Sequence, residues 1–159
     1  MKFFFIISLL GLVALGFGCA TVSSISQPKP AQTENQKMRS ALAEGTILRV
    51  GDMQSRTYQS TGSARILRLL DQRFVLLLSE DFQIDQGPQP IIVLSANPNP
   101  LNFEQAQQGG ILDLGPLHAL SGGQVYDLSK DLSLDRWHSV VIYSQAEQTL
   151  FGVAGLQAS

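Results

Sequence analysis

The sequence contains few of the residues from which chemical sites are most often built. Its 159 residues include one cysteine, Cys19, which excludes an internal disulfide framework and a zinc site made of several thiolates. His118 and His138 are the only histidines, so a metal site would have to rely on carboxylates. The net charge of -2 leaves no basic stripe for phosphates, and nucleic acid is therefore not predicted as a partner. The length allows one domain plus a tail or targeting segment.

The first residues have the layout of a secretory signal peptide. Lys2 precedes residues 3–17, which carry no charge, and the small residues Gly18, Cys19 and Ala20 follow. The apolar stretch is about 15 residues long, which is shorter than the roughly 20 residues that a helix needs to cross a bilayer. The pattern therefore predicts a cleaved signal peptide over residues 1–18 instead of a permanent membrane span.

Cys19 ends this segment in a setting that resembles the bacterial lipobox. In that motif a short apolar stretch and a small residue precede a cysteine that is acylated and becomes the new N-terminus, as in residues 15–19. Gly16 and Phe17 stand where the motif usually has leucine and a small residue, and ordinary cleavage after Ala20 is the alternative. The resemblance implies an extracytoplasmic protein of the bacterial cell envelope, lipid-anchored to a membrane at Cys19, and leaves the leaflet open.

Residues 19–44 are predicted to hold the lipidated cysteine and a flexible tether. Small polar residues dominate the first part of this stretch, and Pro28 and Pro30 favour an extended chain. Residues 34–44 could form a short helix with apolar side chains on one side. The expected arrangement is a folded domain held away from a membrane surface.

The rest of the chain, residues 45–159, has the pattern of an all-β domain. Residues 64–70 and 73–79 are predicted to form a hairpin around Asp71 and Gln72. Further strands are predicted at residues 46–50, 91–95, 124–128, 140–143 and 149–154, with one short helix at residues 102–108. Many short strands separated by turns predict a compact sandwich or partly closed barrel of short antiparallel strands.

Several segments of this domain resemble the electron transfer DM13 family in their order and spacing. The resemblance covers about residues 45–157, which is nearly the whole domain. The segments that carry it are residues 62–66, 76–82, 87–88, 91–95, 113–117, 122–128, 139–143 and 151–154. It implies a compact β-rich module of a kind usually found outside the cytoplasm.

The resemblance also implies a redox role, because many members carry a cysteine directly after the strand that ends here at Tyr143. That cysteine is proposed to act as a free thiol or to hold haem. In this chain the position of the family cysteine is occupied by Ser144. A hydroxyl neither cycles through a disulfide nor ligates iron as a thiolate does, so electron transfer by that route is not expected.

No other group of residues forms a recognisable catalytic set. His118 and His138 lie in different motifs, and a histidine beside Trp137 at the start of a strand is more often structural than a haem ligand. The acidic residues that cluster in sequence form two groups, the first with Glu80, Asp81 and Asp85 and the second with Asp127, Asp131 and Asp135. Neither acidic group has the layout of a calcium loop, and both are interpreted as solvated turns. No catalytic residue, metal or cofactor is predicted.

These features predict a membrane-anchored lipoprotein whose β module binds a partner and has no catalytic activity. An envelope protein or a glycan is the expected partner. The alternative is a redox or electron-transfer module that uses a bound cofactor in place of the missing cysteine. The surroundings of Ser144 separate the two: a hydroxyl bonded to backbone in the packed interior indicates a structural replacement, whereas a position in an open cleft indicates a retained site with altered chemistry.

Overall fold

The computed structural model describes residues 30–159, with side chains described from Thr33 onward. The predicted signal peptide, Cys19 and the first part of the predicted tether lie outside these residues. The helices are α1 (Pro30–Glu44), α2 (Phe103–Gln107) and a 3₁₀ turn (Leu134–Arg136). Within residues 30–159, no helix combines the length and hydrophobicity that a membrane crossing requires.

Most of the described chain is organised in short strands. They are β1 (Thr46–Ser55), β2 (Ser60–Thr61), β3 (Ser63–Arg68), β4 (Phe74–Leu78), β5 (Gln83–Ile84), β6 (Pro90–Ser95), β7 (Ile111–Pro116), β8 (Gln124–Leu128), β9 (Ser139–Ser144), β10 (Thr149–Gly155) and β11 (Gln157–Ala158). Nine of them form one sheet in the order β7-β6-β9-β10-β1-β3-β4-β8, with β11 beside β1, while β2 and β5 pair separately. Every pairing is antiparallel, and the sheet bends into a nearly closed barrel, which confirms the predicted fold class.

Strand β1 makes this bend possible because its pairing changes along its length. Residues 46–52 pair with β3, residues 49–50 also pair with β11 on the other side, and residues 53–55 pair with β10. The register shifts between Ile47 and Arg49, and such a bulge increases local twist. At Gly51 a Cβ atom would lie 2.3 Å from the carbonyl oxygen of Gly155, so only glycine permits this close approach of the two backbones.

Alternation along the strands divides the apolar side chains between an inner core and two outer clusters. Val140 and Ile142 of β9 belong to the inner core, while Val141 and Tyr143 belong to an outer cluster that includes Ala106 of α2. The other outer cluster is formed by Met38 and Ala41 of α1 with Leu67, Val75 and Leu77 of β3 and β4. Each helix therefore covers apolar side chains on the outside of the barrel.

The predicted hairpin is present with shorter strands. β3 and β4 occupy residues 63–68 and 74–78, and residues 69–73 form the turn between them. Gln72 adopts a positive φ of 68°, and the Asp71 carboxylate accepts a hydrogen bond from the Arg73 N–H. Polar residues at these positions favour the turn because Asp accepts local backbone hydrogen bonds. The predicted helix at residues 102–108 is α2, with Asn102 as its N-cap.

Residues 30–44, within the predicted tether, are not flexible: the alternative of a short helix at residues 34–44 is present and extends back to Pro30. These residues form α1, a helix of 15 residues, and Met38 and Ala41 are buried against the sheet. Burial of a side chain such as Met38 contributes roughly 1.5–3 kcal/mol, which offsets the entropy lost when this segment becomes ordered. The local sequence gives only a weak helical pattern because few of its residues are apolar. The helix is stabilised by the surface on which it packs.

Candidate functional site

Ser144, at the position of the family cysteine, lies in the packed interior at the end of β9. Its side chain is fully buried, with 0% of its surface exposed. The residue pairs with Pro90 on one side and Thr149 on the other. Its hydroxyl oxygen accepts a hydrogen bond from the backbone N–H of Glu147 at 3.2 Å. The hydroxyl thus holds the turn between β9 and β10 and does not face an open cleft.

The same turn is fixed to an aromatic pair at this end of the barrel. The Tyr58 hydroxyl donates a hydrogen bond of 2.6 Å to the Glu147 carboxylate, and that bond raises the pKa of Tyr58. The Tyr58 ring stacks on Phe151 with 4.3 Å between centroids. At Gly87 a Cβ atom would lie 2.5 Å from the Phe151 ring, so the loop backbone lies directly against these aromatics. Ser144 and Tyr58 are therefore linked through one residue, Glu147.

A shallow groove of about 380 Å³ lies near this end of β6 and β7, lined by Gln89, Pro90, Ile91, Asp113, Gly115, Pro116 and Leu117. Burial, and secondarily the Asp113 charge, raise the pKa of the neighbouring Tyr143. Ile91 and Tyr143 belong to the outer cluster. Because successive side chains of a strand point to opposite faces, Ser144 points away from this side of the sheet. The groove does not open onto the Ser144 hydroxyl.

The two histidines are exposed and lie in separate surroundings. His118 follows β7 and stacks on Tyr126, with ring centroids 4.3 Å apart. His138 precedes β9, where its backbone N–H donates to the Ser95 carbonyl. The His138 side chain lines a shallow groove of about 210 Å³ with Gln54, Asn99 and Gln157 among its other residues. Within residues 30–159, no three His, Cys, Asp or Glu side chains are grouped so that they could hold a metal ion.

The acidic residues singled out in the sequence do not converge on a common site. All six, Glu80, Asp81, Asp85, Asp127, Asp131 and Asp135, are exposed. Glu80 lies 3.7 Å from Arg39 of α1, and Asp135 lies 3.2 Å from Arg49 of β1. These are surface ion pairs, which contribute little to stability.

A buried polar network around Gln124 was not anticipated from the sequence. Gln124 begins β8 and is 1% exposed. Its Oε1 accepts hydrogen bonds from the Tyr126 hydroxyl at 2.8 Å and the His118 N–H at 3.0 Å, while its Nε2 donates to the Ala119 carbonyl at 2.8 Å. The strand at residues 124–128 was predicted, but the face that each residue occupies depends on pairing with β4. The network orders the loop that precedes β8.

The burial of Tyr126 within this network makes stability sensitive to high pH. Burial raises the pKa of Tyr126 from 10.0 to about 12. Between these values the unfolded state loses the proton while the folded state keeps it, so stability present below pH 10 is lost as the pH rises towards 12. The loss amounts to roughly 3 kcal/mol at most. Urea unfolding measures the free energy of unfolding near pH 9 and near pH 11, and its decrease between them should be smaller for Tyr126→Phe than for the unchanged chain. Equal decreases would contradict a raised pKa of Tyr126.

Helix α1 reaches the edge of the sheet through Glu34. The Glu34 carboxylate accepts a hydrogen bond from the backbone N–H of Val125 in β8 at 3.1 Å. Lys37 lies 3.2 Å from the other carboxylate oxygen, and the His118 ring lies 3.9 Å from the first. Gly123 lies against Met38, whose sulfur would be 2.6 Å from a Cβ atom at that position. The start of β8 is thus covered by the first half of α1.

Beside this contact, α1 and β8 enclose a groove of about 450 Å³. It is lined by Thr33, Gln36, Lys37, Ser40, Arg73, Val125 and Asp127. Arg73 pairs with Asp71 at 2.7 Å and with Asp127 at 3.3 Å, and the Asp71 pair lowers the pKa of that carboxyl. The groove combines two basic side chains with one side of a strand. The sequence does not reveal this groove, because it forms only when α1 docks beside β8.

The family model described as electron transfer DM13 matches residues 52–156. The match begins within β1 and ends just after β10, so it contains Ser144 and β8, whereas α1 lies outside it. No curated protein and no solved structure matches the chain.

Proposed function

Since this chain belongs to the electron transfer DM13 family, we propose that it is a lipid-anchored member that acts outside the cytoplasm by binding a partner, without thiol chemistry of its own. The observation that carries the proposal is the burial of Ser144 together with the engagement of its hydroxyl by the Glu147 backbone. A hydroxyl in this setting stabilises a turn. It offers neither the nucleophilicity nor the metal affinity of a thiolate.

The rest of the domain supplies no replacement thiol, because Cys19 is the only cysteine of the chain. Cys19 has a different role in this proposal, as the lipid attachment point at the end of an apolar segment that resembles a lipobox. The anchor and the domain are then separate parts of the protein. The anchor provides the location, and the surface of the barrel provides the binding.

The anchor is tested by Cys19→Ser in the full-length chain. We expect the unchanged protein in the membrane fraction, because several acyl chains on one residue give stable attachment at about 0.8 kcal/mol per buried methylene. The variant should lose acylation, measured by the mass of the mature N-terminus, and should no longer be processed at Cys19. A variant processed after Ala20 with unchanged membrane attachment would contradict lipidation and favour ordinary signal cleavage.

The exposed surface favours a protein over a glycan as the partner. Glycan sites commonly offer an exposed aromatic ring as a stacking platform, but within residues 33–159 every Tyr, Phe and Trp side chain is buried or half-buried. The large apolar side chains that are exposed are Leu42, Ile47, Leu70 and Leu101. Protein partners also use exposed backbone and polar side chains, which this domain has at the ends of its sheet.

The family description favours a second candidate function, which is electron transfer through a bound cofactor. His118 and His138 are exposed and are the only imidazoles that could ligate haem in that case. Incubation of the purified chain with haem tests this alternative. A strong visible absorption band that His118→Ala or His138→Ala removes would support it and would contradict a purely binding role.

A further inference from the structure

We infer that the partner is an extended peptide segment of another protein, which adds a strand to β8 in the groove beside α1. This inference rests on the proposed binding function and names its site. It is carried by the hydrogen-bonding pattern of β8, by the contrast between the two ends of the sheet, and by the groove that runs along the strand.

The register of the sheet shows which backbone groups of β8 are directed outward. In the β3–β4 hairpin, Ser79 N–H bonds Ser63 C=O and Leu69 N–H bonds Arg73 C=O. Backbone hydrogen-bonding groups alternate in direction along an antiparallel strand, so the N–H and C=O groups of residues 74, 76 and 78 in β4 point towards β8. Their partners there are residues 128, 126 and 124. Val125 and Asp127 therefore direct their N–H and C=O groups away from the sheet. The bond from Val125 N–H to Glu34 confirms this direction.

Among residues 30–159, only one of these outward backbone groups has a hydrogen-bond partner. The Val125 N–H is bonded to Glu34, whereas no hydrogen bond from another described residue reaches the Val125 carbonyl or the backbone N–H and C=O of Asp127. An incoming antiparallel strand could bond all three of these groups. Its carbonyl could also replace the Glu34 carboxylate on Val125, which would couple peptide binding to the position of α1.

The two ends of the sheet differ in how they are protected. β7, at one end, pairs with β6 through a register shift, contains Gly115 with a φ of 96° and ends at Pro116, which has no N–H to donate. Bulges and proline are the usual means by which proteins block an edge strand. β8, at the other end, pairs with β4 over five consecutive residues without a shift and contains neither glycine nor proline. Helix α1 covers the start of β8 through the Glu34–Val125 bond, but the rest of this edge is regular enough to accept another strand.

The groove favours a single extended chain over the edge of a second copy of this protein. Its volume is about 450 Å³, and one wall is α1 itself. A second copy would have to bring its own β8 and its own α1 to the same place, where the two helices would compete for the space. A lone peptide needs only the strand spacing of about 4.8 Å. Lys37 and Arg73 line the groove together with Asp127, and both cations are already paired with carboxylates, so backbone hydrogen bonds and not net charge would hold that peptide.

Asp127→Pro tests the inference in the full-length chain. The Asp127 N–H points outward, so proline removes an edge donor without removing a bond to β4. Asp127→Ala is the matched control, since it removes the same carboxylate and the Arg73 ion pair but keeps the donor. The probe is a capped, fluorescently labelled eight-residue peptide that alternates valine and glutamate. A second peptide of the same sequence carries N-methyl groups on alternate residues.

Fluorescence anisotropy should show saturable binding of the unmodified peptide, at least tenfold weaker binding to Asp127→Pro, and a change of less than threefold for Asp127→Ala. Hydrogen exchange in β8 should slow when the peptide is bound. The N-methylated peptide should not bind, a result that does not depend on the folding of any variant.

Several results would overturn the inference. They are equal binding of the two peptides, equal affinity for Asp127→Pro and Asp127→Ala, no saturation up to millimolar peptide, or dimerisation of the chain through the β8 edge. The proposed anchor and the buried Ser144 are tested by separate experiments, so failure here would leave them standing.

Discussion

A chain that begins at Gly45 should be about 3–6 kcal/mol less stable than a chain that includes α1. Without the helix, the outer faces of Leu67, Val75 and Leu77 would be exposed to water, although they are now buried at 2% exposure or less. Domains of this size have free energies of unfolding of about 5–15 kcal/mol, so the loss would be a large part of the total. Urea unfolding of the two chains measures it.

Single substitutions within α1 provide the matched control. Met38 is 2% exposed, and Leu42, one turn further along the same helix, is 38% exposed. Met38→Ala should cost about 2–3 kcal/mol, because it removes buried methylene groups and the sulfur that packs on Gly123, whereas Leu42→Ala should cost less than about 1 kcal/mol. Equal effects of the two substitutions, or a chain from Gly45 as stable as the longer one, would show that α1 is not docked and would restore the flexible tether.

Ser144→Cys, which restores the family residue, should give a thiol that reacts with Ellman's reagent at least about 100-fold more slowly than an exposed thiol. The buried thiol can react only when the surrounding structure unfolds locally and exposes it to the reagent. The serine position is fully buried, and apolar surroundings raise the pKa of a thiol and so reduce its thiolate fraction. Gln145→Cys is the matched comparison, since Gln145 is the next residue along the chain and is exposed. Both variants are made with Cys19→Ser, so that each protein has one thiol.

The rates of the two thiols should converge in denaturing urea, where both are exposed. Comparable rates in the native state would show that the Ser144 position opens readily to solvent. In that case the structural role assigned to its hydroxyl would be wrong, and a redox function of this position in the family would become easier to explain.

The strands could be predicted because alternation and turn chemistry are local properties. The run at residues 91–95 and the pair at residues 140–143 and 149–154 lie within β6, β9 and β10, with boundaries that differ by one residue. β7 was missed, because glycine and proline in residues 111–116 weaken its strand pattern, and β6 provides the pairing that orders it. Local sequence thus predicted the strands that are apolar and β-branched. It missed β7, which depends on its neighbour, and the two-residue strands β2, β5 and β11.

The candidate site was predicted only in part. The resemblance identified Ser144, but whether its hydroxyl lies in a cleft or in the core depends on Glu147 and on the pairing of β9 with β6 and β10. Four aromatic residues of this domain, Tyr126, Trp137, Tyr143 and Phe151, are all buried, but Tyr143 lies in the outer cluster. Neighbouring residues of β9 point to opposite faces of the sheet, so Tyr143 points outward while Ile142 points into the inner core.

By itself the sequence determined the class of fold, the family, the absence of any thiol from the domain and the position of the only cysteine. The fold class follows from short-range periodicity and the absence of thiols from residue types, whereas the family follows from the resemblance of several segments in their order and spacing. Only the tertiary structure decided that residues 30–44 dock as a helix, that Ser144 is buried, and that β8 lies at one end of the sheet with α1 over its start. Each of these depends on contacts between segments far apart in the chain, and the energy of such contacts is absent from any local window of sequence.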